Sequence, residues 1–305
     1  MRGMPRLLFA KGAKGDIIRR VQQELSALGL YTKAIDGDYG GGMVTAVRDF
    51  QTSKTLPVTG EIDDVTWEKL MNAPIPSVDD RCLGLTSTFE GHGFTLAQGN
   101  FDGAGVTWGI IGFTLAGGEL KTIFTEACEQ DEAAVRECFG DNLDVLRGIF
   151  DKPDAEQLAW ADSVSEGEQK AKLKEPWVSA FRKFGESELG QRLQLDRVNN
   201  RYQKTAADIM AKYGLTTELG HSLAFDIAVQ NGSINDAAAA QIAAQMKPDM
   251  TEQQKREIIA TAVGENARNQ KYRQDVLDRK LTIARGEGVV HGTTYVLKNW
   301  GIAEI

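Results

Sequence analysis

Helical periodicity is the strongest constraint on this chain. Apolar residues recur at 3.6-residue spacing through 174–184, 188–213, 218–230, 234–246 and 251–284. Thr251 followed by Gln254 is a capping-box helix start. β-forming sequence is concentrated in one glycine-rich stretch, GNFDGAGVTWGIIGFTLAGG at 99–118, where Val106, Ile110, Ile111 and Phe113 are the β-formers. That stretch predicts a short hairpin and a turn before a helix, with everything beyond it helical. The fold class is therefore mainly α (α+β), with one small β-hairpin.

The first 72 residues predict a module of three helices. Ile17, Ile18, Val21, Leu25 and Leu28 share a helical face, and Gly29 ends that helix. IDGDYGGG at 35–42 is turn-rich. A second helix starts near Met43, with Val44, Val47 and Phe50 on one face. LPVTGEIDDVTWEKLM at 56–71 adds a second turn and a third helix carrying Val65, Trp67 and Leu70. The two turn-then-helix units form a weak internal repeat. Two copies suit a compact unit with its turns side by side rather than a solenoid. The proline-bearing stretch that follows reads as a linker at 73–80, which separates a domain at 1–72 from a second at 81–305.

Composition excludes several classes. The 305 residues are 42% hydrophobic and 26% charged, ordinary values for a globular chain of about two domains. No apolar run approaches the ~18 residues of a membrane span, so stable membrane insertion is not expected. The patch at Leu7–Ala10 is too short for a signal-peptide core, and the expectation is a protein made in the cytoplasm without an export signal. Three cysteines (Cys82, Cys128, Cys138) without CxxC spacing predict free thiols. Three scattered histidines (His92, His221, His291) and no HExxH predict no zinc site, and no metal or organic cofactor is expected. The net charge of −8 argues against nucleic acid as a partner. It is uneven, with +1 over residues 1–72 and −9 over the rest; the basic cluster in the first twenty residues reads as a solvated terminus.

Cleaving a glycosidic bond by hydrolysis takes two carboxylates in unlike surroundings. One is held protonated for the leaving oxygen, and the other is ionised. Glu90 follows Leu85, Thr88 and Phe89 at the end of a short helix, and such partly apolar surroundings raise a carboxyl pKa. Asp102 lies in GNFDGAG, where peptide N–H groups and water keep a carboxylate charged and a glycine-rich edge admits a polymer. Thr107, whose hydroxyl both donates and accepts, can hold a water against Asp102. With 43 acidic residues in the chain, spacing alone leaves other pairs open.

Two parts of the sequence resemble known families. GDIIRRVQQELSALGLY, IDGDYGGGMVTAVRDFQ and LPVTGEIDDVTWEKL, in that order over roughly 12–71, resemble the three-helix peptidoglycan-binding domain of bacterial and phage proteins. The resemblance implies bacterial peptidoglycan as partner. Within it Phe50 and Trp67 read as core, and Asp36, Tyr39 and Arg48 as candidates for the binding groove. LTSTFEGHG with GNFDGAGVTWGIIGFTLAGGEL resembles the active-site segment of the glycoside hydrolase family 46 chitosanases, part of the lysozyme-like superfamily. This implies an α-rich, two-lobed lysozyme-like domain. By that resemblance Glu90 matches the general acid, Asp102 the general base, Thr107 the hydroxyl that positions the water, and Glu119 an acidic sugar-binding residue. LAFDIAVQNG and DVLDRKLTIA resemble later segments that contribute a buried Asp and an Arg. These map to Asp226 and Arg279, read first as a structural salt bridge. The sequence departs from the chitosanases in a shorter segment between Glu90 and Asp102, and in Ala104 where they carry an Arg. The tail GVVHGTTYVLKNWGI is similar to the C-termini of endolysins from phages of Gram-negative hosts, and His291 within it reads as structural.

The expectation is a monomeric modular endolysin, a muramidase that cuts MurNAc-β-1,4-GlcNAc bonds after holin-type release to the wall. A chitosanase and a lytic transglycosylase, which needs the acid alone, are the competing enzymes. A non-catalytic wall-binding virion protein is the competitor from another class.

Overall fold

The computed structural model describes residues 5–90 and 93–305, with Glu90, Asn199 and Asn200 described by backbone alone. Helix dominates, with three small antiparallel sheets among the described residues. The chain divides into two compact units, Met1–Phe89 with Tyr202–Ile305, and Glu90–Arg201.

The first unit opens with β1 (Leu7–Phe9), α1 (Asp16–Ala27), α2 (Gly41–Ser53), β2 (Ile62–Asp63) and α3 (Asp64–Met71). α1 buries Ile18, Val21 and Leu25, as the periodicity predicts. Leu28 falls just past the helix and stays exposed, and Gly29, at φ +73°, takes the left-handed conformation that closes it. β1 pairs antiparallel with β2.

Each of the two turns seen in the sequence is held by one buried glutamine. Gln22 on α1 donates from Nε2 to Asp36 Oδ1 (2.7 Å) and Asp38 O (3.1 Å), and its Oε1 accepts from the Gly37 N–H (2.7 Å). Gln51 on α2 repeats the arrangement. Its Nε2 donates to Glu61 O (2.8 Å), and its Oε1 accepts from the N–H groups of Thr59 and Gly60 (3.0 and 2.9 Å). A buried amide must find partners on both its ends, and the backbone of a turn supplies donors and acceptors together. The repeat is thus a repeat of helix-borne clips, which the glutamines themselves did not reveal in sequence.

α4 (Val78–Glu90) begins inside the stretch read as linker. The second unit then runs through β3 (Ala97–Gln98), β4 (Thr107–Trp108), β5 (Phe113–Thr114), α5 (Glu119–Phe139), α6 (Asn142–Phe150), α7 (Asp154–Ser163), β6 (Ser165–Glu166), β7 (Lys172–Leu173), α8 (Trp177–Glu186) and α9 (Glu188–Val198). The expected hairpin is part of a five-stranded antiparallel sheet in the order β5-β4-β3-β7-β6. Ile110 and Ile111 lie in the turn between β4 and β5 rather than in a strand. Trp108 anchors the sheet to the helices, 5.4 Å from Phe184 in a stacked pair and 5.7 Å from Phe124. Its indole N–H donates to Phe181 O (2.8 Å).

The stretch 188–213, read as one helix, loosens into a π-type turn at Asn199–Gln203 before α10 (Lys204–Tyr213). The boundary between the units falls in that turn. The first unit then resumes with α11 (Glu218–Asn231), α12 (Asp236–Gln245), α13 (Glu252–Glu265) and α14 (Arg273–Arg285). The stretch 251–284 is two helices, not one. Gly264 lets α14 close onto α13, because a Cβ there would lie 2.6 Å from the Leu277 Cα. The predicted capping box of Thr251 and Gln254 opens α13.

The tail is not helical as expected. β8 (Glu287–Val290) and β9 (Thr293–Val296) form a hairpin whose two-residue turn, His291–Gly292, has φ of +49° and +75°. Positive φ at both central positions suits the twist of a tight hairpin. His291 is a turn residue whose Nε2 lies against the Asp275 carboxylate. Within this unit the N-terminal strand region also meets the C-terminus. The Ala10 N–H donates to Asn299 O (3.0 Å) and the Trp300 indole to Lys14 O (3.2 Å).

Candidate active site

Asp102 lies in the loop between β3 and β4, exposed to solvent. Its Oδ1 accepts from the Ala104 N–H (3.0 Å), an Asx turn closed by its own side chain. Gly103 and Gly105 have φ of +85° and +82°, where a side chain would be strained. Asn100, which sequence reasoning missed, ties the loop down. Its N–H donates to Ser165 Oγ (2.9 Å), its Nδ2 to Asp162 Oδ1 (2.7 Å), and its Oδ1 accepts from the Gly105 N–H (2.8 Å). Lys170 pairs with Asp162 (2.7 Å), and hydrogen bonds from Lys170 and Asn100 hold that carboxyl below its usual range. Gly99 cannot carry a side chain, since a Cβ would lie 2.3 Å from Lys170 O. The loop is thereby fixed by its backbone while the Asp102 carboxylate faces water.

Thr107 is on β4, 4% exposed. Strand alternation sends Trp108 into the aromatic core and Thr107 to the opposite face. Its Oγ1 is buried without a hydrogen-bond partner among the described residues. Glu119 is the first residue of α5 and is buried, with its carboxylate paired to Arg201. It folds back over Gly117, where a Cβ would lie 2.1 Å from its Oε2. The Glu90 backbone ends α4, and its side chain lies outside the described residues.

Asp226 and Arg279 are a buried pair, 0% and 2% exposed. Arg279 Nε donates to both carboxylate oxygens (3.0 Å each) and Nη2 to Oδ1 (2.7 Å). Lys280, unforeseen in sequence, adds a second cation at Oδ2, and its Nζ also donates to Gln230 Oε1 (2.7 Å). The Thr86 hydroxyl completes the set at Oδ1 (3.0 Å). Burial alone would raise the Asp226 carboxyl; the Arg279 and Lys280 charges overcome it and hold the pKa at about 2. The Arg279 guanidinium also lies over the Phe89 ring, 5.0 Å from its centre. Thr86 and Phe89 are in the last turns of α4, so this network fixes where that helix ends. The structural reading of the pair is the one its burial supports.

The proposed groove residues of the N-terminal module do not share one fate. Asp36 and Arg48 are exposed. The Gln22 amide and the Asp38 N–H hold the Asp36 carboxyl below its usual range. Tyr39 is a correction: it is 1% exposed and its hydroxyl donates to Gly60 O (3.0 Å), so it belongs to the interior beside Phe50 and Trp67. Its ring supplies apolar area, and the second turn supplies the acceptor its hydroxyl needs. The cysteines are free, and burial pushes the Cys82 thiol up to about 12. Among the described residues no group of three or more His, Cys, Asp or Glu is placed to hold a metal ion, and no helix is long and apolar enough to cross a membrane.

Residues 14–70 match the family described as putative peptidoglycan binding domain. Over 93 residues, 30% of this chain, the sequence is 32% identical to a spore cortex-lytic enzyme of Bacillus cereus. That match spans 36% of the relative, so the chain covers about a third of the length of the curated relatives it matches. Among solved structures, a Gynuella sunshinyii GH46 chitosanase in complex with chitotetraose aligns over 73% of this chain and 99% of its own, at 15% identity and a TM-score of 0.49. A native chitosanase from Bacillus subtilis aligns over 76% and 100%, at 16% identity and a TM-score of 0.48.

Proposed function

We propose that this chain is a modular cell-wall hydrolase that cuts the β-1,4 glycan of bacterial peptidoglycan. The observation that carries the reading is the peptidoglycan-binding match over residues 14–70, within a chain that also bears the Asp102–Thr107 loop. Holding the wall near the cutting site raises the local concentration of an insoluble substrate. In this reading Glu90, at the end of α4, gives its proton to the leaving oxygen. Asp102, exposed on its loop, takes a proton from water held by Thr107, and that water attacks the anomeric carbon. The Asp226 network supports the end of the helix that carries Glu90.

The finer assignment is a muramidase of the endolysin type, inverting at the anomeric carbon and acting on the wall after release from the cytoplasm. Incubating the purified chain with sacculi and identifying the soluble products by mass spectrometry tests it. Fragments ending in reducing MurNAc are expected. A digest rich in 1,6-anhydro ends overturns the hydrolase in favour of a transglycosylase, and the absence of any soluble fragment overturns the enzyme reading.

A further inference from the structure

Register places Lys172, Gln98, Thr107 and Thr114 side by side across four adjacent strands. Directly opposed residues in antiparallel strands project from the same face, so these four form a polar row on one face of the sheet. Thr114 is engaged, its Oγ1 accepting from the Gly117 N–H (3.1 Å). The middle two are not. Thr107 Oγ1 and Gln98 Oε1 are both buried oxygens without a hydrogen-bond partner among the described residues. Buried polar atoms are normally paired, and two neighbours left unpaired together point to a shared ligand. Opposed Cβ atoms in such a pair lie about 4.5–5.5 Å apart, a span one bridging oxygen can serve.

We propose that Gln98 and Thr107 form a two-point cradle for a single water, and that this is the water consumed in glycan hydrolysis. The proposal rests on the function proposed above. The donor and acceptor inventory closes around one molecule. The water gives one proton to Gln98 Oε1 and directs the other at the Asp102 carboxylate. The Thr107 hydroxyl donates to one lone pair, leaving the second for the anomeric carbon. In the step a bond forms between the water oxygen and that carbon while the glycosidic C–O bond breaks. Asp102 receives the water proton and Glu90 supplies one to the leaving oxygen. Gln98 neither gains nor loses a proton; it sets the direction of attack.

Kinetics on soluble glycan fragments test this, using Gln98→Leu, Gln98→Glu, Thr107→Val and the Gln98→Leu/Thr107→Val double variant, each with its melting temperature. Gln98→Leu should lower kcat by about tenfold or more, with KM and melting nearly unchanged. Gln98→Glu keeps an acceptor oxygen and should stay within about threefold of the parent. The double variant should be about as slow as the worse single one, since two partners of one water are not additive. A raised KM with kcat intact would mean that the cradle binds a sugar hydroxyl and would overturn the proposal. So would parental rates for Gln98→Leu, or multiplying losses in the double variant. A crystal structure of the parent chain separates this from failure of the functional reading. Density for a water bridging Gln98 Oε1 and Thr107 Oγ1 supports the cradle whether or not the chain cuts glycan, and none there overturns it.

Discussion

Asp226→Asn should destabilise the unit built from Met1–Phe89 and Tyr202–Ile305 more than almost any other single substitution in it. The carboxylate is 0% exposed and answers two cations, Arg279 and Lys280, that are themselves 2% and 0% exposed. The depression of its pKa from the ordinary ~3.9 to about 2 corresponds to about 2–3 kcal/mol of stability near neutral pH. That is a lower bound for the variant, because an amide also leaves two buried charges uncompensated. Breaking a buried pair in this way costs about 3–5 kcal/mol. Thr86→Val removes one hydrogen bond to the same oxygen and should cost about 1 kcal/mol.

The sign with pH follows from the lowered folded-state pKa. The stabilisation is fully present above about pH 4, the unfolded value, and is lost as pH falls through about 2. The gap between parent and Asp226→Asn should therefore narrow across that window. The two units need not unfold together, so amide hydrogen exchange on α11 and α14 is the suitable assay. A loss below about 1 kcal/mol for Asp226→Asn, or a gap that ignores pH between 4 and 2, would refute the argument.

Other outcomes follow from the proposed mechanism and from the fold. Under the proposed mechanism Glu90→Gln should cut wall lysis by about 10²–10⁴ with circular dichroism unchanged. Asp102→Asn should fall nearly as far, since an amide cannot take the water proton; a tolerant Asp102 would favour the transglycosylase. Gly60→Ala should lower sacculus binding and stability by about 1–3 kcal/mol, measured by pull-down and urea titration, because its φ is +77° and a Cβ would lie 2.8 Å from Val44 Cγ1. Cys82, fully covered and with its thiol pushed up to about 12, should resist an aromatic disulfide reagent at pH 8 until denaturant is added; rapid labelling of the native chain at Cys82 would contradict that.

What could be read in the sequence was what repeats. The 3.6-residue period found α1, α11 and α12 because each has enough turns to show a face. It ran α13 into α14 because a reversal over 266–272 does not interrupt a count of apolar positions. It ran α9 into α10 for the same reason. Two-residue strands such as β6 and β7 carry no alternation to detect, and the β8–β9 hairpin turns on a histidine at positive φ rather than on Asn-Gly. Around Asp102 the glycines predicted a solvated turn, and the structure leaves that residue exposed there. The part Asn100 plays in holding the loop was not legible, since its partners Ser165 and Asp162 lie more than sixty residues away. Tyr39 was misplaced because a turn exposes its backbone and not every side chain; Gly60 O draws the phenol inward. Lys280 was overlooked beside Arg279 because a buried lysine is rare without a partner such as Asp226.

The glutamine clips of the N-terminal module have a consequence for when this chain works. Gln22 and Gln51 clip their turns through neutral amides, but their partners differ. Gln51 meets only backbone groups and hydroxyls, whereas Gln22 also donates to the Asp36 carboxylate, whose pKa it lowers. Acid protonates a carboxylate and leaves an amide alone. The second turn should therefore keep its shape in acid, while the first turn and the interior locked by ionised Asp226 both weaken as pH falls below about 4. The two halves of one repeat thus differ in what they ask of the solvent, one carrying a titratable partner and the other none.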